Sequence, residues 1–376
     1  MHLWLSLNVS TVEHMSEQKA LQHIRQQIDE IDQQIQQLLN QRAEFAQKVA
    51  EVKIASGEQV DFYRPEREAM ILRKVMERNT GPLPDAEVGR IFREIMSACL
   101  AAEKPLQVAY LGPEGSFTQA AALKHFGGSV QLQPVSTIAN VFRAVETEYA
   151  RYGVVPVENS SEGMVSHTLD RFISSPLKIN GEVTLRIHHY LLGKTSQLNQ
   201  IKTVYAHPQA LAQCRQWLGD QLPHAELVAL DSNSEAARRV AEMGDDVAAI
   251  AASTAADIYG LEVIASNIED EAGNTTRFLV IGTQDVGPSG EDKTALLVST
   301  QNKPGALQSL LKPLADSGIS MSRIESRPSR KGMWEYVFFI DIDGHSQSPA
   351  VAEALAKLQN EASVFRVLGS YPKAVL

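Results

Sequence analysis

At 376 residues the chain is too long for one ordinary core, so two to four domains are expected. A hydrophobic share of 44% with 21% charged residues is that of a water-soluble globular protein, and a net charge of -10 argues against nucleic acid as a partner. Two cysteines, Cys99 and Cys214, exclude a disulfide framework or a cysteine-built metal site and point to a reducing, cytoplasmic setting.

Residues 1–15 are mildly apolar, without a basic start or a small-residue cleavage site, so they read as a disordered extension rather than a signal peptide, with Met15 a candidate true start. No run is long enough to cross a bilayer.

The first ordered block covers residues 16–104. Leu21, Ile24, Ile28, Ile31, Ile35, Leu38, Phe45, Val49 and Val52 step by three and four, the stripe of one helix that Ser56-Gly57 should stop after Ala55. At ~1.5 Å per residue this helix reaches roughly 50 Å, longer than a domain of this size is wide, so paired chains with interlocked helices are expected. Arg42 and Lys53 interrupt the stripe and Arg25 lies at its edge. Single cations can snorkel from such a seam. Three of them, followed by Arg64 and Arg67-Glu68 at the head of a second helix, suit a small multi-anion. A third helix, Asp85 to Ala102, brings Cys99 and Glu103 at helical spacing.

This block resembles the all-helical chorismate mutase domain. The resemblance implies that Arg25 (from a partner chain) and Arg42 bind the substrate carboxylates, Lys53 reaches the ether oxygen, and Glu68 accepts from the ring hydroxyl. Arg64 stands where many relatives have aspartate, Cys99 replaces a frequent serine, and Glu103 a frequent glutamine that contacts the ether oxygen. The pericyclic step needs no nucleophile, metal or cofactor, only a pose and donors where charge develops.

After Lys104-Pro105 strands and helices alternate, as in α/β folds: Val108 to Leu111, a helix from Thr118, Val154 to Val157 and a helix from Gly163. A second set follows with Val204 to Ala206, a helix from Gln209, Leu227 to Leu230, a helix from Ser234, and Val247 to Ala251. Two such halves suggest two lobes with a cleft between them. Polar loops stand at three strand ends: Gly112 to Phe117, Glu158 to Gly163, and His207-Pro208-Gln209. With the helix N-termini that follow they are natural anion sites, though neither a P-loop nor a dinucleotide fingerprint is present. Asn274-Thr275-Thr276-Arg277-Phe278 then enters the apolar run Leu279 to Ile281, a strand expected to return to the first lobe and place Thr276 at the hinge. Alone, Thr-Thr-Arg at a strand mouth is ordinary loop composition.

Together the four loops resemble prephenate dehydratase over residues 105–285. The resemblance implies that Thr276 assists departure of the ring hydroxyl and Arg277 holds a carboxylate. Ser116, Asn159, Ser160 and Gln209 are then hydrogen-bonding contacts, with Glu158 a weaker candidate. No cofactor is implied, because aromatisation drives loss of carbon dioxide.

Residues 286–292 form a polar linker. Residues 293–376 read strand-helix-strand-strand-helix-strand, a ferredoxin-like split. This block is similar to ACT domains, which bind amino acids at paired interfaces. Gly305, Ala306 and Leu307 after Pro304, and Glu325, Ser326, Arg327 and Pro328, match the two phenylalanine-binding motifs.

The chain as a whole is therefore identified as a member of the bifunctional chorismate mutase/prephenate dehydratase family. The implied protein is multidomain: an all-α mutase domain in an intertwined dimer, a two-lobed α/β dehydratase domain and an α+β ACT domain. Its substrates are chorismate and prephenate, its effector is phenylalanine, and it forms a homodimer or higher homo-oligomer. The alternative is a non-catalytic, two-lobed, amino-acid-sensing regulator, which has no use for cations in the first helical seam.

Overall fold

The computed structural model describes residues 3–55, 63–195, 197–301, 303–328 and 336–376, with side chains from residue 18 onward. It divides into two compact units, Met1–Phe62 with Cys99–Lys104, and Tyr63–Ala98 with Pro105–Leu376.

The first unit is built on α1 (Leu3–Ala55), 53 residues of helix. It starts well ahead of Met15, which corrects the expectation of a disordered extension: the stretch is helical from Leu3 onward. The predicted stop follows Ala55, although Ser56 and Gly57 themselves lie outside the described residues. Leu21, Ile24, Ile28, Ile31 and Ile35 are each about half exposed and Val52 is 71% exposed, so the stripe is left open to solvent.

In the second unit α2 (Pro65–Glu77) opens with proline at its first turn, where a missing N–H costs nothing, and with Glu66 and Glu68 on the positive end of the dipole. Helix α3 (Asp85–Glu103) begins here and ends in the first unit.

Alternation of strand and helix follows. The first lobe holds β1 (Gln107–Leu111), α4 (Phe117–Phe126), β2 (Gln131–Val135), α5 (Ile138–Glu146), β3 (Tyr152–Asn159), the short β4 (Gly163–Met164), α6 (Ser166–Ser174) and β5 (Lys178–Arg186). The helix expected from Gly163 is thus preceded by a two-residue strand that pairs with Glu158 and Asn159. The second lobe holds β6 (Tyr190–Gly193), β7 (Thr203–Ala206), α7 (Pro208–Gln213), α8 (Arg215–Gln221), β8 (Glu226–Ala229), α9 (Asn233–Glu242), β9 (Val247–Ala251), α10 (Ser253–Tyr259) and β10 (Glu262–Ala265). Its sheet runs β10-β6-β9-β7-β8, and β9 is an unbroken buried apolar run, as a strand covered on both faces requires. The chain then recrosses: β11 (Thr275–Gly282) inserts antiparallel between β3 and β5, giving the order β2-β1-β3-β11-β5 and confirming the expected return.

The last block is β12 (Asp292–Ser299), α11 (Ala306–Asp316), β13 (Met321–Pro328), β14 (Tyr336–Asp343), α12 (Pro349–Glu361) and β15 (Val364–Pro372), with sheet order β13-β14-β12-β15. One face of this sheet packs on its own helices through Leu296, Leu310, Ile340 and Leu358. The other joins the core of the first lobe, where Leu297, Phe339, Leu368 and Tyr371 meet Val155, Leu177, Ile179 and Leu279. The approach is so close that a Cβ on Gly369 of β15 would collide with the Ile179 backbone of β5, so only glycine fits. The expected linker is equally tied down. Ser289 donates to the Asp292 carboxylate through its N–H and hydroxyl, and Arg73 donates to the Ser289 and Glu291 carbonyls.

No helix among the described residues is long and apolar enough to cross a membrane.

Candidate functional site

Between the two α/β lobes lies a cavity of about 330 Å³. Its walls come from the ends of β1, β3, β7 and β11 and from the helix starts that follow, the crevice where such sheets bind ligands. Ser116, Asn159, Gln209 and Thr276, all expected contacts, line it. Ser116 also caps α4, its Oγ accepting from the Gln119 N–H at 3.3 Å and donating to the Leu111 carbonyl at 3.1 Å.

Thr276 is 8% exposed. Its Oγ1 accepts from Asn159 Nδ2 at 2.9 Å, and the same nitrogen donates to Asn274 Oδ1 at 2.9 Å. Asn274 in turn donates to Gln213 Oε1 at 3.2 Å, which also meets His189 Nε2 at 2.8 Å. Gln213 and His189 were not singled out from the sequence, and Asn274 was named only as the start of the Thr276 stretch, yet all three line the cavity. For Gln213 a signal existed: it falls four residues after Gln209, one helical turn along α7.

Two expected contacts, and the weaker candidate Glu158, are not in the cavity wall. Arg277 follows Thr276 on an extended strand, so its side chain leaves the opposite face of the sheet. There it pairs with Glu182 at 2.9 Å and Asp341 of β14 at 2.7 Å, and donates to the Tyr371 hydroxyl at 3.0 Å. Its expected role with a substrate carboxylate is therefore corrected. Glu158, across from Arg277 in the register, faces the same way, 3.9 Å from Arg277 and 4.0 Å from Arg323. Ser160 is the second correction: its Oγ accepts from the Thr275 N–H at 2.9 Å and its N–H donates to the Thr275 carbonyl, extending the β3–β11 pairing.

The cavity wall contains no lysine or arginine among its described residues. The starts of α4 and α9, whose N-cap residues Ser116 and Ser232 both line the space, point the positive ends of their dipoles toward it, and Glu162 and Asp231 add carboxylates to the wall.

Three family models match the chain in succession: chorismate mutase type II over residues 24–104, prephenate dehydratase over residues 108–286 and the ACT domain over residues 294–360. A bifunctional chorismate mutase/prephenate dehydratase of Stutzerimonas stutzeri is 54% identical over 366 residues, covering 96% of this chain and 100% of that one. The chain belongs to the bifunctional chorismate mutase/prephenate dehydratase family. Among solved structures, prephenate dehydratase from Arthrobacter aurescens in complex with L-Phe is similar at TM-score 0.66 and 35% identity, covering 71% of this chain and 90% of that chain. GqqA, described as a novel type of quorum quenching acylase, is similar at TM-score 0.66 and 31% identity, covering 71% of this chain and 98% of its own.

Of the mutase residues in the first unit, Arg42, Lys53 and Glu103 are drawn together and half-buried, while Arg25 is exposed on α1 and Cys99 is buried. Burial raises the Glu103 carboxyl above its ordinary range, against the opposing pull of Lys53 and then Arg42. In the second unit Glu68 pairs with Arg93 at 2.5 Å and Arg64 with Glu66 at 3.0 Å.

In the ACT domain Gly305 holds φ +78° as the N-cap of α11, a left-handed conformation that favours glycine. Ala306 is buried and Leu307 packs on the domain core. Glu325, Ser326, Arg327 and Pro328 end the edge strand β13. Arg327 reaches α6, donating to Ser166 Oγ at 2.8 Å and pairing with Asp170 at 2.9 Å.

Proposed function

We propose that this enzyme rearranges chorismate to prephenate in its helical domain and converts prephenate to phenylpyruvate in the cavity between its α/β lobes, under feedback from phenylalanine held by the ACT domain. The observation that carries the second half is Thr276, buried at the cavity wall with its oxygen already accepting from Asn159. A space of about 330 Å³ is of the size that encloses a small metabolite.

In the dehydratase step the bond from the ring to its carboxylate breaks. Its electron pair moves through the ring, aromatises it and expels the hydroxyl at the far end. Thr276 assists by donating its hydroxyl hydrogen to that oxygen, which leaves as water, and the threonine oxygen recovers a proton from solvent. The two carboxylates of prephenate find helix N-termini and the Gln209 amide as donors rather than an arginine, with Ser116 and Asn159 lining the same wall. Gln213 and Asn274 join this set; Arg277 and Ser160 leave it.

For the mutase step, Arg42, Lys53 and Glu103 supply one chain's part of the site, with Arg64, Glu68 and Cys99 as further contacts. Arg25 and Arg42 stand 17 positions apart on one helix, about 25 Å along its axis, too far to share a dicarboxylate of this size. A second copy resolves this by bringing its own Arg25 to Arg42. It also covers the exposed stripe of α1, and a homodimer is the smallest assembly that does both. Gly305, Ala306 and Leu307 with Glu325, Ser326, Arg327 and Pro328 receive phenylalanine. Work of this kind on soluble metabolites belongs in the cytoplasm.

A non-catalytic sensor is the weaker reading, since bifunctional enzymes match 94% to 96% of this chain. The deciding experiment is to incubate the purified protein with chorismate and follow phenylpyruvate by its absorbance in alkali, with and without phenylalanine. Phenylpyruvate that forms and is suppressed by phenylalanine is the expected result; prephenate accumulating without phenylpyruvate removes the cavity's assignment.

A further inference from the structure

The side chains behind Thr276 form a hydrogen-bond chain with one consistent direction. It starts at the backbone, where the Ser161 and Glu162 N–H groups donate to Asn159 Oδ1 at 2.9 and 3.1 Å. A backbone N–H can only donate, so this end of the Asn159 amide is settled and Nδ2 must face the other way. Both Nδ2 hydrogens are then used, one on Thr276 Oγ1 and one on Asn274 Oδ1. Asn274 has only its own Nδ2 left for Gln213, so Gln213 must present Oε1. That oxygen in turn requires a donor from the imidazole, which places the hydrogen of neutral His189 on Nε2.

The two ends of the chain are informative. Thr276 Oγ1 is already an acceptor, and among the described residues its own hydrogen has no acceptor, while the side chain lines the cavity. At the other end His189 is 2% exposed, with Nδ1 buried and without a partner among the described residues. Its main-chain N–H donates to Glu269 Oε2 at 2.9 Å and its ring meets Phe117 edge-on at 5.7 Å, so the imidazole is held from two sides. Burial keeps its basicity below the ordinary imidazole range, which maintains the neutral ring.

We propose that His189 is a positioning residue for the dehydration step, the far anchor of a one-way chain through Gln213, Asn274 and Asn159 that turns the Thr276 hydroxyl hydrogen into the cavity. The backbone holds only the Asn159 end. Without the imidazole donor, Gln213 Oε1 loses one of its two donors and is held by Asn274 alone, so the Gln213 and Asn274 amides are free to shift and the contact that Asn159 shares between Asn274 and Thr276 shifts with them. This inference rests on the assignment of the cavity to prephenate dehydration.

The test is steady-state dehydratase kinetics on prephenate with the full chain. His189→Phe keeps the ring and removes the donor; His189→Gln restores an amide N–H near the Nε2 position. His189→Phe should lower kcat about tenfold to a hundredfold, the scale of a misplaced catalytic group, with KM changed less than about twofold. His189→Gln should recover most of that loss. Wild-type kcat in His189→Phe, or a His189→Gln as slow as His189→Phe, overturns the inference. Thr276→Ala is run beside them: if it too keeps full activity, the assignment of the cavity fails rather than the role of His189. Should His189→Phe not fold, nitrogen-15 spectra of histidine-labelled wild-type protein still decide. They must show His189 protonated on Nε2 with Nδ1 bare, and the opposite tautomer refutes the chain.

Discussion

The helical stretch and the two-lobed domain build their sites in opposite ways. On α1 the cations are strung along a single axis and the apolar stripe between them is half exposed, so under the proposed assignment one chain presents a partial site. In the α/β lobes the wall of one cavity is gathered from Leu111 to Phe278 and closed within one chain. A helix places side chains about 1.5 Å apart along a line and cannot bend them around a small substrate, so such a site must borrow from another helix. A sheet that the chain leaves and re-enters brings distant residues to one crevice. Thr276 and Asn159 are 117 positions apart and 2.9 Å from oxygen to nitrogen.

The largest effect should come from the self-contained site. Thr276→Ala should reduce dehydratase turnover by ~100-fold or more while the mutase rate is kept, and Thr276→Ser should be milder because the hydroxyl survives. Turnover of prephenate at the wild-type rate by Thr276→Ala would remove the residue from the mechanism.

The borrowed site makes the complementary prediction. Arg25→Ala and Arg42→Ala should each lose nearly all mutase activity, and an unfolded and refolded equal mixture should regain about a quarter of the wild-type rate. Half of a random mixture is mixed dimers, and each mixed dimer has one intact site. If mixing restores nothing, Arg25 and Arg42 act within one chain and the comparison collapses.

Control should be smaller and should pass through the strand that both domains touch. Thr276 and Arg277 are neighbours on β11, one facing the cavity and the other paired to Asp341 of the ACT sheet. Asp341→Asn should therefore raise the phenylalanine concentration needed for half inhibition about tenfold, within the usual range of coupling energies, and leave uninhibited turnover nearly intact. Arg277 would still have Glu182, so no buried charge is orphaned. Unchanged inhibition would place the coupling elsewhere, with Arg327 and Asp170 next in line. Cutting the chain at residues 287–292 is a poorer test than the sequence suggests, because it uncovers the apolar core shared by the two sheets.

The smallest effect is a change of pH profile. Glu103 can donate to the ether oxygen only while protonated, and burial raises its carboxyl despite Lys53 and Arg42. Its contribution is present at low pH and is lost as pH rises through that raised value. Mutase turnover measured from about pH 5 to 9 should fall on the alkaline side in the wild type, and Glu103→Gln should be flatter and faster there by a few fold. Superimposable profiles would mean that Glu103 does not contact the ether oxygen.

Much of this was legible in the sequence because it is local. The 3.6-residue stripe of α1, the return of β11 to the first lobe and the strand-helix order of the ACT domain follow from periodicity and turn residues. The motif loops named Ser116, Asn159, Gln209 and Thr276 correctly as cavity residues. Even the placement of Arg277 was available, since alternate residues of a strand face opposite sides, but proximity in sequence to Thr276 suggested a shared task. Tertiary structure alone decided the rest. It brought Gln213, Asn274 and His189 behind Thr276, gave Ser160 to backbone pairing, and turned the 286–292 segment into a tied turn. Hydrogen bonds between residues tens of positions apart depend on how sheets stack and chains recross. Periodicity carries no information about that, because it records which face of an element is buried and not what is buried against it.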